Sequence, residues 1–262
     1  MSPPLNSPAS SPLFDLSVVV PARDEAGNLK PLVDEIFSVF ARGKLQAELV
    51  IVNDGSRDAT ADELKAIAAE HKAVTLIHHE AALGQSAALY HGIRQAAAPL
   101  IATLDADLQN DPADLPGMIE KLRETSADLI QGDRSANRRD HCLRRQASAV
   151  GRIARQLILH DPTRDTGCST RVMRAELARR LPLDRPGMHR FIPALARGWG
   201  YRVVELPVHH RPRFRGRTKY GIGLLRRGLP GLRDCLIVRT MTRQRPDFDQ
   251  LPTSVATPRG AA

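Results

Sequence analysis

The chain has 262 residues, 42% of them hydrophobic, enough to bury a real core in one large domain or two small ones. Only 4% are aromatic, which argues against the exposed stacking platforms of single-stranded nucleic-acid binders, and a net charge of +9 points to an anionic partner: nucleic acid, an acidic membrane surface or a phosphorylated substrate. Three widely spaced cysteines, Cys142, Cys168 and Cys235, support neither a disulfide framework nor a zinc site, and fit a reducing cytosol.

Residues 1–14 are rich in Ser and Pro and read as a disordered tail, with neither the basic start nor the apolar run of a signal peptide. Leu16 to Pro21 is a β-branched run that predicts a strand. A polar loop follows, then apolar residues at helical spacing from Leu29 to Phe40. Glu48 to Val52 repeats the arrangement, ending in Asn53-Asp54-Gly-Ser before a helix from Asp58 to His71. A third strand is expected over Val74 to His78, and a third helix opens at Leu83-Gly84.

Leu100 to Leu104 predicts a buried strand that stops at Asp105 and Asp107, two carboxylates one residue apart. Asp111-Pro112 then supplies a cap and a first helical position, so the acidic loop is short and stiff before a helix running to Glu124. Asp128 to Gly132 is a further strand. Strands alternating with helices specify a parallel sheet with right-handed crossovers, so Glu25, Asp54 and the Asp105/Asp107 pair are expected on one edge. Ligands of open α/β sheets bind at that edge, and a hard divalent cation prefers oxygen donors. The first strand lacks a Gly-x-Gly-x-x-Gly turn and no Walker loop is present, which disfavours hydride transfer and P-loop chemistry.

The second half is basic. Residues 134–145 are crowded with Arg, and Gln146 to Leu159 predicts a helix with a basic face. Asp165-Thr-Gly-Cys168 reads as a turn before an Arg-rich helix, Tyr201 to Val208 as a half-buried strand, and His209 to Tyr220 as a Gly-containing basic loop. Tyr220 to Val238 predicts an apolar and basic helix broken near Pro230, either packed or lying on a membrane surface, and residues 241–262 read as a second tail. No stretch approaches the roughly 20 apolar residues needed to cross a bilayer.

In chain order, Pro21-Ala-Arg-Asp-Glu25, Asn53-Asp54-Gly-Ser, Gly84-Gln-Ser-Ala-Ala, Asp105-Ala-Asp107-Leu-Gln109-Asn-Asp-Pro, Gln131-Gly-Asp-Arg134, Thr166-Gly-Cys and His-Arg-Pro-Arg213 with Lys219-Tyr resemble glycosyltransferase family 2, within it the dolichol-phosphate mannosyltransferase-like enzymes. The resemblance covers roughly residues 15 to 240. It implies a GT-A fold: a single Rossmann-like α/β domain with a mostly parallel central sheet and C-terminal amphipathic helices. Residues 15–132 would form its nucleotide-sugar half and 133–240 its acceptor and membrane-facing half. It further implies metal-dependent, inverting transfer of one sugar from a nucleotide-sugar such as GDP-mannose or a UDP-sugar to a polyprenyl phosphate. The protein would sit peripherally on the cytoplasmic face of the membrane, with room for a separate membrane-protein partner in place of the transmembrane helices many members carry.

Carried over by position, the resemblance implies that Pro21, Arg23, Glu25, Val52 and Asp54 form the nucleoside pocket. Asp105, Asp107 and Gln109 would hold Mg²⁺ or Mn²⁺, with Ala106 beside the donor. Arg213 and Lys219, and more weakly His189, would contact donor phosphates, and Arg134, Arg144 and Ser148 would bind the acceptor phosphate. Asp105, Asp107 and Arg134 are thus the expected catalytic set. Arg-Asp-Glu stands where Asn-Glu is more familiar, and Asn53 where a second Asp is frequent. A phosphate monoester is already largely dianionic near pH 7, with its second pKa at about 6, so such an acceptor needs no general base. A GT-A enzyme with a non-lipid acceptor, a nucleotidyltransferase releasing pyrophosphate, a nucleic-acid-binding protein and a silent interaction domain are the competing readings.

Overall fold

A computed structural model describes residues 13–135, 155–212 and 224–243, the side chains of 224–232 excepted. Its centre is a seven-stranded sheet in the order β3-β2-β1-β4-β6-β5-β7. The strands are β1 (Leu16–Ala22), β2 (Ala47–Asp54), β3 (Val74–His79), β4 (Leu100–Thr103), β5 (Leu129–Asp133), β6 (Arg171–Arg174) and β7 (Val203–Pro207). Neighbours are parallel except at β6, which runs antiparallel to both β4 and β5. All strands but β6 therefore end on one edge.

The apolar runs become strands because both faces of the sheet are covered, as parallel sheets require. Val18 and Val20 point into the layer under α1 (Leu29–Gly43), α2 (Thr60–Glu70) and α4 (Leu115–Glu124). Val19, between them, points the other way, under α3 (Gln85–Gln95), α6 (Ala175–Arg180), α7 (Ile192–Gly198) and α8 (Leu224–Arg243). A helix α5, described over 155–159, precedes α6. In α1 the buried stripe Leu29, Leu32, Val33, Ile36, Val39 and Phe40 follows the helical spacing read from the sequence. On the opposite face α3 lies so close to the sheet that a Cβ on Gly92 would collide with Val19.

The sheet order reverses at β1, whose neighbours are β2 on one side and β4 on the other. Such a switch point opens a crevice at the carboxyl ends of the strands. Asp111 caps the turn beyond it, accepting from the Ala113 amide at 2.9 Å ahead of a 3₁₀ turn (Pro112–Asp114), as the Asp-Pro pair predicts.

Two expectations need correction. Residues following Asp165-Thr-Gly-Cys168 do not pass directly into a helix: β6 intervenes. Its four residues include two arginines, too short and too polar to read as a strand, and they pair because β4 and β5 offer open edges on either side. The C-terminal helix is not broken at Pro230 but runs unbroken from Leu224 to Arg243. A proline inside a helix forfeits one amide donor, and here that loss does not end the helix. Its last turns pack internally, with Cys235 and Val238 buried, Gly198 against Thr242, and Trp199 Nε1 donating to the Met241 carbonyl at 3.1 Å, while Leu236 faces outward.

Candidate active site

The crevice is built from four loops tied to one another by side chains. On the β1 side, the Asp24 amide donates to Ser56 Oγ at 3.0 Å and the Glu25 amide to Thr60 Oγ1 at 2.8 Å, fastening the first loop to the second. Asp24 adopts a left-handed backbone with φ 49°, a conformation aspartate tolerates, and accepts from the Arg57 amide at 2.8 Å. Glu25 accepts from Asn28 Nδ2 at 2.8 Å. Arg23 lies with its guanidinium Nε 3.8 Å from Asp24.

Asp54, at the end of β2, is buried and already engaged. Its Oδ1 accepts from His79 Nδ1 at 2.9 Å and from the Leu83 amide at 2.8 Å, and its Oδ2 from the Gly84 amide at 2.9 Å. Burial works to raise its pKa, but these hydrogen bonds outweigh it and hold the carboxyl below its ordinary value. Val52 is fully buried against α3 near Gly92, and Ala106 is buried too, so what either offers a ligand comes from its main chain. Pro21 is half-buried near the end of β1.

The acidic loop after β4 holds the site's charge. Asp105 accepts from Gln85 Nε2 at 2.9 Å and is hydrogen-bonded by Ser169. Burial, and after it the charge of Asp107, push the Asp105 carboxyl upward, while Ser169, Arg134 and Arg171 only partly offset the rise. Asp107 is buried and accepts from the Gln109 amide at 3.1 Å across Leu108, whose φ of 61° makes the sharp turn. Gln109 and Arg211 are joined by their backbones, the Arg211 amide donating to the Gln109 carbonyl at 2.8 Å. The Arg211 guanidinium bridges Asp111 at 2.7 Å and Glu35 at 2.8 Å. The strap leaving β7 is thus pinned to the acidic loop at its base.

Opposite the carboxylates stand two buried guanidinium groups. Arg134, just past β5, grips Asp165 with Nε to Oδ2 at 2.8 Å and Nη2 to Oδ1 at 3.2 Å. Burial works against its charge, but the Asp165 hydrogen bonds and the nearby acidic groups raise its pKa above the ordinary arginine value. Arg171, at the start of β6, donates to Gln131 Oε1 at 2.7 Å. His189 takes Ser86 Oγ at 2.7 Å on its Nδ1, and burial followed by the charges of Arg190 and Arg171 pushes its pKa down to about 3. Any contact it makes with a donor phosphate would come from a neutral ring. Cys168 and Cys235 are buried thiols with pKa values raised by burial.

The structure brings together Asp54, Asp105, Asp107, Gln109 and Arg134 on one edge. Arg144, Ser148, Arg213, Lys219 and Cys142 lie outside the described residues. Sequence reasoning missed Gln85, Asp165, Ser169, Arg171 and His79 as parts of the site. Gln85 and Asp165 stood inside motifs already noted, Gly84-Gln-Ser and Asp165-Thr-Gly. Ser169 and Arg171 carried no signal, because their place depends on the unrecognised strand β6. Among the described residues, no group of three or more His, Cys, Asp or Glu side chains could hold a metal by itself.

The family model described as Glycosyl transferase family 2 matches residues 17–181. The chain is 37% identical over 226 residues to the dodecaprenyl-phosphate galacturonate synthase of Rhizobium johnstonii, spanning 83% of this chain and 64% of that protein. It is 32% identical over 212 residues to the undecaprenyl-phosphate 4-deoxy-4-formamido-L-arabinose transferase of Shewanella sediminis, spanning 79% and 62%. The chain thus covers a little under two thirds of the length of these curated relatives. Among solved structures, it matches glucosyl-3-phosphoglycerate synthase from Mycobacterium tuberculosis, in complex with Mn²⁺, UDP-glucose and phosphoglyceric acid. The TM-score is 0.62 at 18% identity, over 86% of this chain and 79% of that one. A mannosyltransferase from Pyrobaculum calidifontis, in complex with GDP-Man and Mn²⁺, matches with a TM-score of 0.56 at 17% identity, over 90% and 77%. At these identities the likeness is one of fold, the GT-A fold.

Proposed function

This chain belongs to glycosyl transferase family 2, and from that premise we propose that it transfers a single sugar, with inversion, from a nucleotide-sugar to a polyprenyl phosphate. The observation that carries the reading is the opposition of charges across one sheet edge. Asp105 and Asp107 stand at the end of β4, facing a side occupied by Arg134, Arg171 and their partners. The acidic side suits a cation-bound diphosphate, and the basic side an anionic acceptor. The relatives' names, which specify dodecaprenyl and undecaprenyl phosphate, support the acceptor class.

The donor set fits Mg²⁺ or Mn²⁺. Burial and the charge of Asp107 raise the Asp105 carboxyl, and a divalent cation held by the two residues would offset that charge. Two carboxylates and the Gln109 amide oxygen leave positions for diphosphate oxygens and water, the usual arrangement for Mg²⁺. Bound there, the cation would neutralise charge developing on the departing diphosphate. Gln85 orients Asp105 from the start of α3, and Ser169 does so from β6. Asp165 holds the Arg134 fork in one plane, ready for phosphate oxygens.

Pro21, Arg23, Glu25, the Val52 main chain and Asp54 would line the nucleoside side, Asp54 chiefly by shaping the Leu83–Gly84 turn. Arg144 and Ser148 would extend the acceptor subsite from Arg134, and Arg213 and Lys219 would close over the donor phosphates. We place the protein on the cytoplasmic face of the membrane, held by its excess basic charge at about 1 kcal/mol per nearby Lys or Arg. Among the described residues no helix is long and apolar enough to cross a bilayer.

The test is to incubate the purified chain with radiolabelled nucleotide-sugars, Mn²⁺ or Mg²⁺, and detergent-dispersed undecaprenyl phosphate. Label should pass into the lipid phase with release of a nucleoside diphosphate. Release of pyrophosphate, or transfer confined to soluble hydroxyl acceptors, would overturn the reading.

A further inference from the structure

At the end of β3 the His79 ring lies almost out of solvent between two partners, 6% exposed. Its Nδ1 meets Asp54 Oδ1 at 2.9 Å and its Nε2 meets His91 Nδ1, on α3, at 2.8 Å. An ionised carboxylate only accepts, so Nδ1 carries a proton, and a single further proton sits between the two imidazoles. The His91 ring stands edge-on to His79 at 4.9 Å and to Tyr90 at 5.5 Å, which fixes it from a second side. Among the described residues β3 is the outermost strand, and this ring joins its end to both β2 and α3.

The consequence runs on toward the site. Asp54 also accepts from the amides of Leu83 and Gly84. Gly84 adopts φ 95°, open to glycine and costly to other residues, so the turn exists only while those amides are held. The turn also fits Gly55 tightly: a Cβ there would lie 2.5 Å from the Ala82 nitrogen. Its next residue is Gln85, whose amide reaches Asp105.

We propose that His79 is a positioning residue for the donor side of the active site, acting through Asp54 to fix the turn 81–84 and through that turn the Gln85 contact to Asp105. The proposal rests on the glycosyltransferase reading above for its effect on donor binding, and on geometry alone for its effect on the turn. Without His79 the buried carboxylate loses its one side-chain donor, and the two amides lose a fixed acceptor. A histidine suits the position because it can serve Asp54 and α3 at once.

The test compares wild type with His79→Ala, His79→Leu and His79→Asn by hydrogen–deuterium exchange over residues 81–85 and by calorimetric titration with UDP and with GDP in Mn²⁺. Leu keeps bulk without a donor, so it decides the point if the Ala variant does not fold. Asn sets an amide donor near the place of Nδ1. In the Ala and Leu variants, exchange at Leu83 and Gly84 should speed up about tenfold and nucleotide affinity fall by a similar factor, the effect of one hydrogen bond to a charged group. His79→Asn should stay within about threefold of wild type on both counts. Exchange unchanged in Leu, or accelerated equally in Asn, overturns the proposal. Wild type that binds neither nucleotide overturns the glycosyltransferase reading instead, and exchange at 83–84 still decides the positioning role.

Discussion

Arg134 and Asp165 form a two-pronged ion pair, with Nε to Oδ2 at 2.8 Å and Nη2 to Oδ1 at 3.2 Å, both residues buried. Such a pair adds little net stability, yet removing one partner strands the other charge away from water. Asp165→Ala should therefore destabilise the fold by about 3–5 kcal/mol and abolish transfer. Asp165→Asn, which keeps an acceptor, should cost less. Urea midpoints of the two variants against wild type give the check, and an Ala variant as stable as wild type would show that Arg134 finds other support.

Asp107→Asn removes one charged oxygen from the acidic loop while keeping the side chain's shape and its capacity to accept from the Gln109 amide. The fold should survive, and sugar transfer should fall by at least about a hundredfold, in line with losing one electrostatic contact to the developing charge. The far-ultraviolet dichroism of the variant and its Mn²⁺ titration separate these effects. Wild-type Mn²⁺ affinity in the variant would remove Asp107 from the metal site.

His189 gives the protein an acid-sensitive contribution. Its pKa falls from 6.5 toward about 3 on folding, because burial and two arginines disfavour the imidazolium. A depressed folded pKa means stability that is present in full above about 6.5 and is lost as pH falls from there toward 3. Between pH 7 and pH 5 wild type should lose about 1–2 kcal/mol from this group, and His189→Asn should flatten that slope. Chemical denaturation at the two pH values measures it. An equal slope in the variant would assign the acid limb to other groups.

Gly55→Ala adds one methyl where φ is +64° and the Cβ would lie 2.6 Å from the Ala81 carbonyl carbon. Backbone on the far side cannot yield cheaply, so the loop must open. We expect a loss of about 1–3 kcal/mol in stability and weaker binding of nucleoside diphosphate. Ala at Gly117, within α4 and with nothing within 4 Å, is the control and should be neutral or stabilising by up to about 1 kcal/mol. Equal midpoints for the two variants in a thermal melt would refute the close approach.

The halves of the fold differed in how much the chain disclosed. β1, β2 and β4 are buried on both faces, so they appear in the sequence as unbroken apolar runs ending in charge, and Glu25, Asp54 and Asp105 could be placed on one edge by parallelism alone. β6 gave no such signal. Arg171 sits in the middle of a sheet only because Gln131 and the Thr166 carbonyl satisfy its guanidinium, and such partners are visible only in three dimensions. The same holds for Asp54. Its sequence context marks it as a ligand-binding carboxylate, and nothing there shows that His79, Leu83 and Gly84, from elements well downstream, donate to it. Pro230 misled in the opposite direction, since a strong local breaker lies within a helix that runs from Leu224 to Arg243.

The reversed strand β6 has a consequence for how such a scaffold diversifies. β5 ends and β6 begins on the same edge, where Gln131 pairs with Arg171, so the excursion 134–170 starts and finishes at that edge. Closing a longer or shorter loop between fixed points changes the entropy only slowly with its length. The ladder of β4, β6 and β5 holds its register by its own pairing whatever that excursion contains. A segment of different length or sequence between Asp133 and Arg171 should therefore leave this ladder in place, with Asp165, which holds Arg134, and Ser169, which holds Asn110, as the junction to preserve.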